Sequence, residues 1–151
     1  MRYGALDYRT INLGDQIQTL AALRFLPQVD AWIERDALGH YQPATPDPIA
    51  VILNGWYGHQ PESWPPHEAI RPLLVSMHLS ALPGNERTRL SSQDFLLRAP
   101  AVEYLRRHGP VGARDLTTLA LLRRSGVEAW FSGCMTLTLQ RTSDAPRSDE
   151  V

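Results

Sequence analysis

Four short segments of the chain carry small and polar residues of the kind that hold ligands in α/β proteins. They are residues 12–15 (NLGD), 54–58 (NGWYG), 112–115 (GARD) and 132–136 (SGCMT). Glycine lets a ligand approach the backbone, so that N–H groups at the start of a following helix can bind an anion or a sugar. Each segment taken alone is better explained as a helix cap or a turn. Four such segments at one edge of a sheet would form a binding site.

The charged residues of these segments indicate what the site would bind. The guanidinium of Arg114 can hold a carboxylate or phosphate, or it can form a surface ion pair with the adjacent Asp115 that contributes little. Asp15 can cap the helix that follows it or bind a substrate hydroxyl. Asp115, which precedes Thr117 and Thr118, is interpreted as a helix cap rather than a catalytic residue. The candidate binding residues are Asn12, Gly14, Asp15, Arg114, Asp115, Ser132 and Gly133.

Side chains that often act as nucleophiles, bases or metal ligands are isolated in this sequence. His78 lies in an apolar run, where a histidine is more often a hydrogen-bonded core residue than a base or a ligand. Cys134 is a nucleophile only beside a base and is otherwise a small packing residue in a tight loop. The spacing of His59 and His67 fits no zinc-binding pattern. The sequence therefore predicts no metal site and leaves the catalytic residue unknown.

Short strands that alternate with helices must position these segments. Apolar runs predict strands at residues 2–6, 29–35, 49–53, 73–79, 111–113 and 127–131. Apolar residues at helical spacing predict helices over 17–26, over 95–107 with an interruption at Pro100, and over 116–124. The run at 49–53 lacks alternation, which is typical of a strand buried on both faces of a parallel sheet. The order of elements predicts an α/β, Rossmann-like fold with a mostly parallel sheet and flanking helices.

Composition and length bound the domain organisation and the class of partner. The chain of 151 residues is long enough for one domain with a substantial core, which we expect to span residues 1–140. Residues 141–151 are polar and lack apolar periodicity, which predicts a disordered tail. A formal net charge of -1 argues against a nucleic-acid partner, because phosphate binding depends on a surplus of basic residues.

Cysteine content and hydropathy indicate the compartment. A single cysteine excludes an internal disulfide. No apolar run approaches the roughly 18 residues that a membrane-spanning helix requires, and no signal peptide opens the chain. The expected location is cytoplasmic.

Taken together, the motifs resemble those of the polysaccharide pyruvyl transferase family. The segments that carry the likeness, in the family's order, are NLGDQIQTLAALRFL, VILNGWY, WPP, SMHLS, GPVGARDLTTLALLRRSGV and FSGCMTLTL. They extend from about Tyr3 to Leu139. The RD-x-x-T and FSGC-x-TLTL segments are the more specific ones, whereas the Asn-x-Gly-Asp loop alone would not identify the family.

The resemblance implies a fold and an activity. Members of the family resemble two-domain transferases of the GT-B type, in which two Rossmann-like halves face a cleft. They transfer a pyruvyl group from phosphoenolpyruvate to sugar hydroxyls and form a ketal on a cell-surface glycan, with no cofactor expected. On this basis Asn12, Asp15 and Arg114 face the cleft, with Arg114 against an anionic group of the donor.

The matched motifs belong to the N-terminal half of such an enzyme. The resemblance implies that a second half, a partner chain or a second copy of this chain completes the donor site and supplies a histidine acid or base. The alternative is a non-catalytic binding module that keeps the transferase fold.

Overall fold

Within the residues that this computed structural model describes, 1–83 and 89–140, six short strands form one sheet. They are β1 (Arg2–Asp7), β2 (Ala31–Glu34), β3 (Ile49–Trp56), β4 (Ile70–His78), β5 (Val111–Ala113) and β6 (Ala129–Phe131). Their order is β2-β1-β3-β4-β5-β6, and every neighbouring pair is parallel. This arrangement confirms the predicted Rossmann-like α/β fold.

The helices are α1 (Leu13–Leu23), α2 (Ser92–Leu96), α3 (Ala101–His108) and α4 (Leu116–Arg124). Short 3-10 turns lie at Arg35–His40, Pro61–Ser63 and Met135–Thr138. Crossovers between parallel strands are right-handed. The chain moves across the sheet toward one edge from β1 to β2, and toward the opposite edge from β3 to β6. Thus α1 packs on one face of the sheet, and α3 and α4 pack on the other. None of the helices among the described residues is long and apolar enough to cross a membrane.

The main core lies between the sheet and the helices α3 and α4, which cover one of its faces. Paired residues of β3 and β4, such as Leu53 and Leu74, are almost completely buried there. The rings of Tyr57, Trp64 and Tyr104 meet edge to face, with centroids 5.1 and 6.0 Å apart, and join the loop after β3 to α3. The unalternating run at 49–53 is buried or half-buried on both faces, as its composition predicts.

Helix α1 buries polar side chains together with small apolar ones and leaves a leucine exposed. The residues that pack inward are Asp15, Gln18, Thr19, Ala21 and Ala22, whereas Leu20 is 56% exposed. The inward face is stabilised by hydrogen bonds to the sheet: Thr19 Oγ1 donates to the Leu6 carbonyl at 2.8 Å. Apolar spacing alone would place Leu20 in the core. The spacing therefore predicts the helix but only part of the face that it buries, because Ala21 of the same apolar set is completely buried.

The other predicted elements are present with shifted ends. Strand β3 continues to Trp56 through an irregular register between Leu53 and Gly55, so part of the segment 54–58 belongs to the strand. The strand expected at 29–35 shortens because Arg35 leaves it and turns into the core. The expected tail at 141–151 lies outside the described residues.

Candidate functional site

A cavity of about 410 Å³ lies at the carboxyl edge of the sheet. Strand order reverses between β1 and β3, so the connections after these two strands leave toward opposite faces and open a crevice between them. Parallel α/β sheets bind their ligands in such crevices, and the volume is that of a small-molecule site. The residues that line the cavity are Asn12, Gly14, Asp15, Gln18, Gly55, Trp56, His78, Ser80, Leu82, Pro83 and Arg114.

The first turn of α1 forms one wall of the cavity. Asn12 is the N-cap, because its side-chain oxygen accepts a hydrogen bond from the Gly14 N–H at 2.9 Å. Asp15, for which a capping role was an alternative, lies in the first turn instead, and its Oδ2 accepts a hydrogen bond from Thr10 Oγ1 at 2.8 Å. The positive end of the helix dipole therefore meets the cavity, and a carboxylate lies beside it.

Beneath this wall, the buried guanidinium of Arg35 joins two carboxylates. Its Nη1 lies 3.2 Å from Asp15 Oδ1, and its Nη2 lies 3.0 Å from Asp36 Oδ2. Nη1 also donates to the Trp56 carbonyl at 3.0 Å, and the Tyr8 ring lies 4.6 Å from the guanidinium carbon. Burial acts to lower the pKa of Arg35, but the hydrogen bond and charge of Asp36 and the charge of Asp15 raise it overall. Arg35 therefore remains charged and fixes the carboxylate of Asp15.

Arg114 is the cation on the opposite wall. Its backbone N–H donates to the Met77 carbonyl at 2.8 Å, which places it directly after β5 and next to the end of β4. Among the described residues its guanidinium has neither an acidic partner nor a hydrogen-bond partner, and the possible surface pair with Asp115 is not formed. A half-buried arginine without a partner is suited to bind a carboxylate or phosphate of a ligand.

Asp115 instead binds His78, a residue that sequence reasoning interpreted as part of the core. His78 Nδ1 lies 2.7 Å from Asp115 Oδ2, and the imidazole lines the cavity with 30% of its side chain exposed. Asp115 also caps α4, because its Oδ1 accepts from the Thr118 N–H at 2.8 Å and its Oδ2 from Thr118 Oγ1 at 3.0 Å. Burial acts to raise the pKa of Asp115, but these hydrogen bonds and that of His78 lower it overall. The carboxylate stays ionised and orients the histidine.

Ser132 and Gly133 are not among the residues that line the cavity. Ser132 Oγ accepts a hydrogen bond from the Ser76 N–H at 3.1 Å, and Ser76 Oγ donates to the Gly133 carbonyl at 3.0 Å. Ser76 also accepts from the Met135 N–H at 2.7 Å and has a φ of 57°, which is rare for a residue with a side chain. These contacts fasten the loop after β6 to β4, so Ser132 and Gly133 have a structural role.

Cys134 has polar contacts in addition to its place in this loop. Its Sγ accepts from Gln18 Nε2 at 3.2 Å and lies 3.0 Å from Thr136 Oγ1. Burial acts to raise the pKa of the thiol, whereas the hydrogen bonds of Thr136 and Gln18 and the charge of Arg114 lower it overall. Because Gln18 lines the cavity, its contact with Cys134 helps to hold a lining residue of the site in place.

Sequence reasoning did not assign His78 to the site or Arg35 to its support. A weak signal for His78 was its position at the end of a predicted strand, where ligand-binding residues gather. Arg35 gave no signal, because charged side chains are rarely buried completely.

The fold and the cavity define an α/β protein with a cavity of small-molecule size at the switch point of a parallel sheet. In the part of the chain that the structure describes, no three His, Cys, Asp or Glu side chains come together as metal ligands. Comparisons of the chain with protein-family models, curated proteins and solved structures gave no match.

Proposed function

We propose that the cavity binds phosphoenolpyruvate and that the chain takes part in transfer of its pyruvyl group to a sugar hydroxyl. The proposal takes its reaction from the sequence resemblance to polysaccharide pyruvyl transferases. The structural observation that supports it is the guanidinium of Arg114, which has no partner among the described residues, in a cavity that also holds the N-terminus of α1. Phosphoenolpyruvate carries a carboxylate and a phosphate, and these two groups require two positive partners.

The electrostatics of the cavity accommodate such a donor. The carboxylate of Asp15 would repel an anion if it were unpaired, but Arg35 lies against it at 3.2 Å. The attraction of Arg114 and of the N–H groups of α1 is therefore not cancelled by this acid. Donor recognition thus depends on Arg114, which would contact the donor directly, and on Arg35, which neutralises the charge of Asp15.

The remaining lining groups suit a carbohydrate acceptor. Asn12, Asp15 and Gln18 offer amide and carboxylate groups that hydrogen-bond to hydroxyls, and the Trp56 ring offers an apolar surface for a sugar face. A cavity of about 410 Å³ holds molecules larger than phosphoenolpyruvate, so space is left for part of an acceptor.

We propose further that a second Rossmann-like half covers the mouth of this cavity. Large apolar side chains are exposed on the loops and helix starts at the carboxyl edge of the sheet. This set, which we call the apolar rim, consists of Ile11, Leu13, Leu82, Leu116 and Leu137. Exposed apolar side chains grouped around a binding site mark an interaction surface. The resemblance to GT-B-type enzymes puts a second half at this edge, carried either by the same polypeptide or by another.

Calorimetric titration of the chain with phosphoenolpyruvate tests the donor site. Charge-assisted hydrogen bonds contribute about 1.5–3 kcal/mol, so Arg114→Ala should weaken binding by roughly 10-fold to 100-fold. Arg124→Ala is the matched control, because it removes an exposed arginine at the far end of α4 and should leave affinity unchanged. Absence of binding to the unaltered chain, or equal affinities for the two variants, would contradict the proposal.

A further inference from the structure

We propose that His78, held by Asp115, is the base that removes the proton from the acceptor hydroxyl. This assignment rests on the proposed function, because it concerns the acceptor side of the same transfer. It differs from the expectation of the resemblance, which assigns the histidine acid or base to a second half. The assignment is argued from the orientation of the pair, its position beside Arg114, and the proton balance of ketal formation.

The orientation of His78 is set by contacts on one side of its ring. Asp115 is an ionised carboxylate whose oxygens also accept from the N–H and Oγ1 of Thr118, so it cannot turn away from the imidazole. An ionised carboxylate accepts but does not donate, and so the Nδ1 of His78 carries the proton. The lone pair of neutral His78 is then on Nε2, for which the described residues supply no partner. A carboxylate on the far side also stabilises the imidazolium that forms when Nε2 takes up a proton.

The position of His78 is next to the proposed donor. Strands β4 and β5 pair at Met77 and Ala113, so His78 and Arg114 are the next residues along two neighbouring strands. Neighbouring strands lie about 4.8 Å apart. A donor whose anionic group is bound by Arg114 therefore lies beside the imidazole, and both residues line the same cavity.

The chemistry of ketal formation requires a group of this kind. When a hydroxyl oxygen bonds to C2 of phosphoenolpyruvate, the C2–C3 double bond opens and C3 takes up a proton to become a methyl group. The hydroxyl proton leaves in the same step, and a neutral imidazole can accept it. Breaking the bond between C2 and the phosphate oxygen then needs a proton on the departing phosphate, which the His78 imidazolium can return. The second hydroxyl bonds to C2 as the phosphate departs and releases its own proton to solvent. Two hydroxyl protons are lost and two are consumed, one at C3, taken from solvent, and one at phosphate, so no further reactant is needed.

Nuclear magnetic resonance of the full chain with ¹⁵N-labelled histidine tests the assignment directly. We expect His78 in its Nδ1–H form, loss of that tautomer preference in Asp115→Asn, and a change in the ¹⁵N chemical shifts of His78 when phosphoenolpyruvate binds. Arg114→Ala should remove the response to phosphoenolpyruvate. The proposal is overturned if His78 is in the Nε2–H form, or if phosphoenolpyruvate binds in calorimetry and leaves the resonances of His78 unchanged. Absence of phosphoenolpyruvate binding would instead count against the proposed function itself.

Kinetics separate a catalytic role from a structural one. In an assay of sugar-dependent phosphate release from phosphoenolpyruvate, His78→Gln should lower kcat by about 100-fold or more with KM for phosphoenolpyruvate nearly unchanged. Arg114→Ala should instead raise KM for phosphoenolpyruvate. A His78→Gln chain that binds phosphoenolpyruvate and keeps its kcat would overturn the assignment.

Discussion

The carboxylate of Asp15 lies 3.2 Å from the guanidinium of Arg35, and the side chain of Arg35 has no exposed surface. The first residue lies in the opening turn of α1 and the second directly follows β2, so this ion pair joins the start of the crossover helix to the end of the strand that follows it. Asp36 accepts from the same guanidinium, which means that removing the arginine would leave two carboxylates close together and partly buried. The pair therefore supports both the fold and the wall of the cavity.

Replacing Arg35 with methionine should lower the free energy of unfolding by about 3–5 kcal/mol, because breaking a buried pair leaves uncompensated charge. The measurement is urea denaturation of the variant and of Arg24→Ala, which removes an exposed arginine at the end of α1. The control should differ from the unaltered chain by less than about 0.5 kcal/mol. Equal stability of the two variants would show that the buried network is not needed.

The exposed face of α1 predicts an unusual result for a leucine in an amphipathic helix. Leu20→Ala should change stability by less than about 0.5 kcal/mol, because Leu20 is 56% exposed and alanine favours helix. Leu122→Ala on α4 is the matched comparison, and it should cost about 2–5 kcal/mol because Leu122 is 1% exposed. Thermal or chemical denaturation of both variants tests this prediction. A large loss of stability for Leu20→Ala would mean that Leu20 packs inward.

The apolar rim predicts the oligomeric state of this chain. If the rim accepts a second half that differs from this chain, the isolated chain should sediment as a monomer across micromolar concentrations. A dimer that dissociates on Leu13→Ser and Leu116→Ser substitution would instead identify a second copy as the occupant. Analytical ultracentrifugation of the unaltered chain and of the double variant distinguishes these outcomes.

Ser76 has a strained backbone and a hydroxyl that forms hydrogen bonds with Gly133 and Met135. Ser76→Ala should cost about 1–3 kcal/mol, because it leaves the half-buried Met135 N–H without its acceptor and retains the φ of 57°. Ser76→Gly loses the same hydrogen bonds but relieves the backbone, and it should be more stable than the alanine variant by about 1 kcal/mol. Denaturation of the pair gives the order of stability. The reverse order would mean that the backbone at this position is not strained.

The ionised state of Asp115 predicts a dependence of stability on pH. The folded chain holds the pKa of Asp115 below its ordinary value of 3.8, so its contribution is complete above that value and is lost as the pH falls through the folded pKa. The difference in stability between the unaltered chain and Asp115→Asn should therefore shrink as the pH falls below about 4. Denaturation at a series of acidic pH values measures it, and a difference that stays constant or grows toward low pH would contradict the lowered pKa.

The sequence predicted the fold because the signals that define it are local. The unalternating run at 49–53 indicates a buried parallel strand, and the segment of Arg114 and Asp115 indicates a strand that passes directly into a helix. These signals led to Asn12, Gly14, Asp15 and Arg114, all of which line the cavity. The function that the resemblance suggests stays a prediction.

The order of strands across the sheet was not available from local signals, and the differences between expected and observed positions follow from this. Ser132 and Asn12 both lie in short glycine-containing segments, but Ser132 follows the edge strand β6, whereas the crevice opens between β1 and β3. His78 was interpreted as a core residue because its partner Asp115 is 37 residues away and becomes a neighbour only through β4–β5 pairing. Burial of Arg35 depends in the same way on two carboxylates that tertiary structure brings together.

A single residue, Arg114, separates the end of β5 from the cap of α4. The arginine side chain enters the cavity, and the next side chain both starts the helix and orients His78. One inserted or deleted residue at this junction would therefore misplace the cation, the helix start and the histidine's carboxylate at once. Variation in length at this junction would be far more damaging than most substitutions there, so related chains that keep the site should all have a connection of the same length.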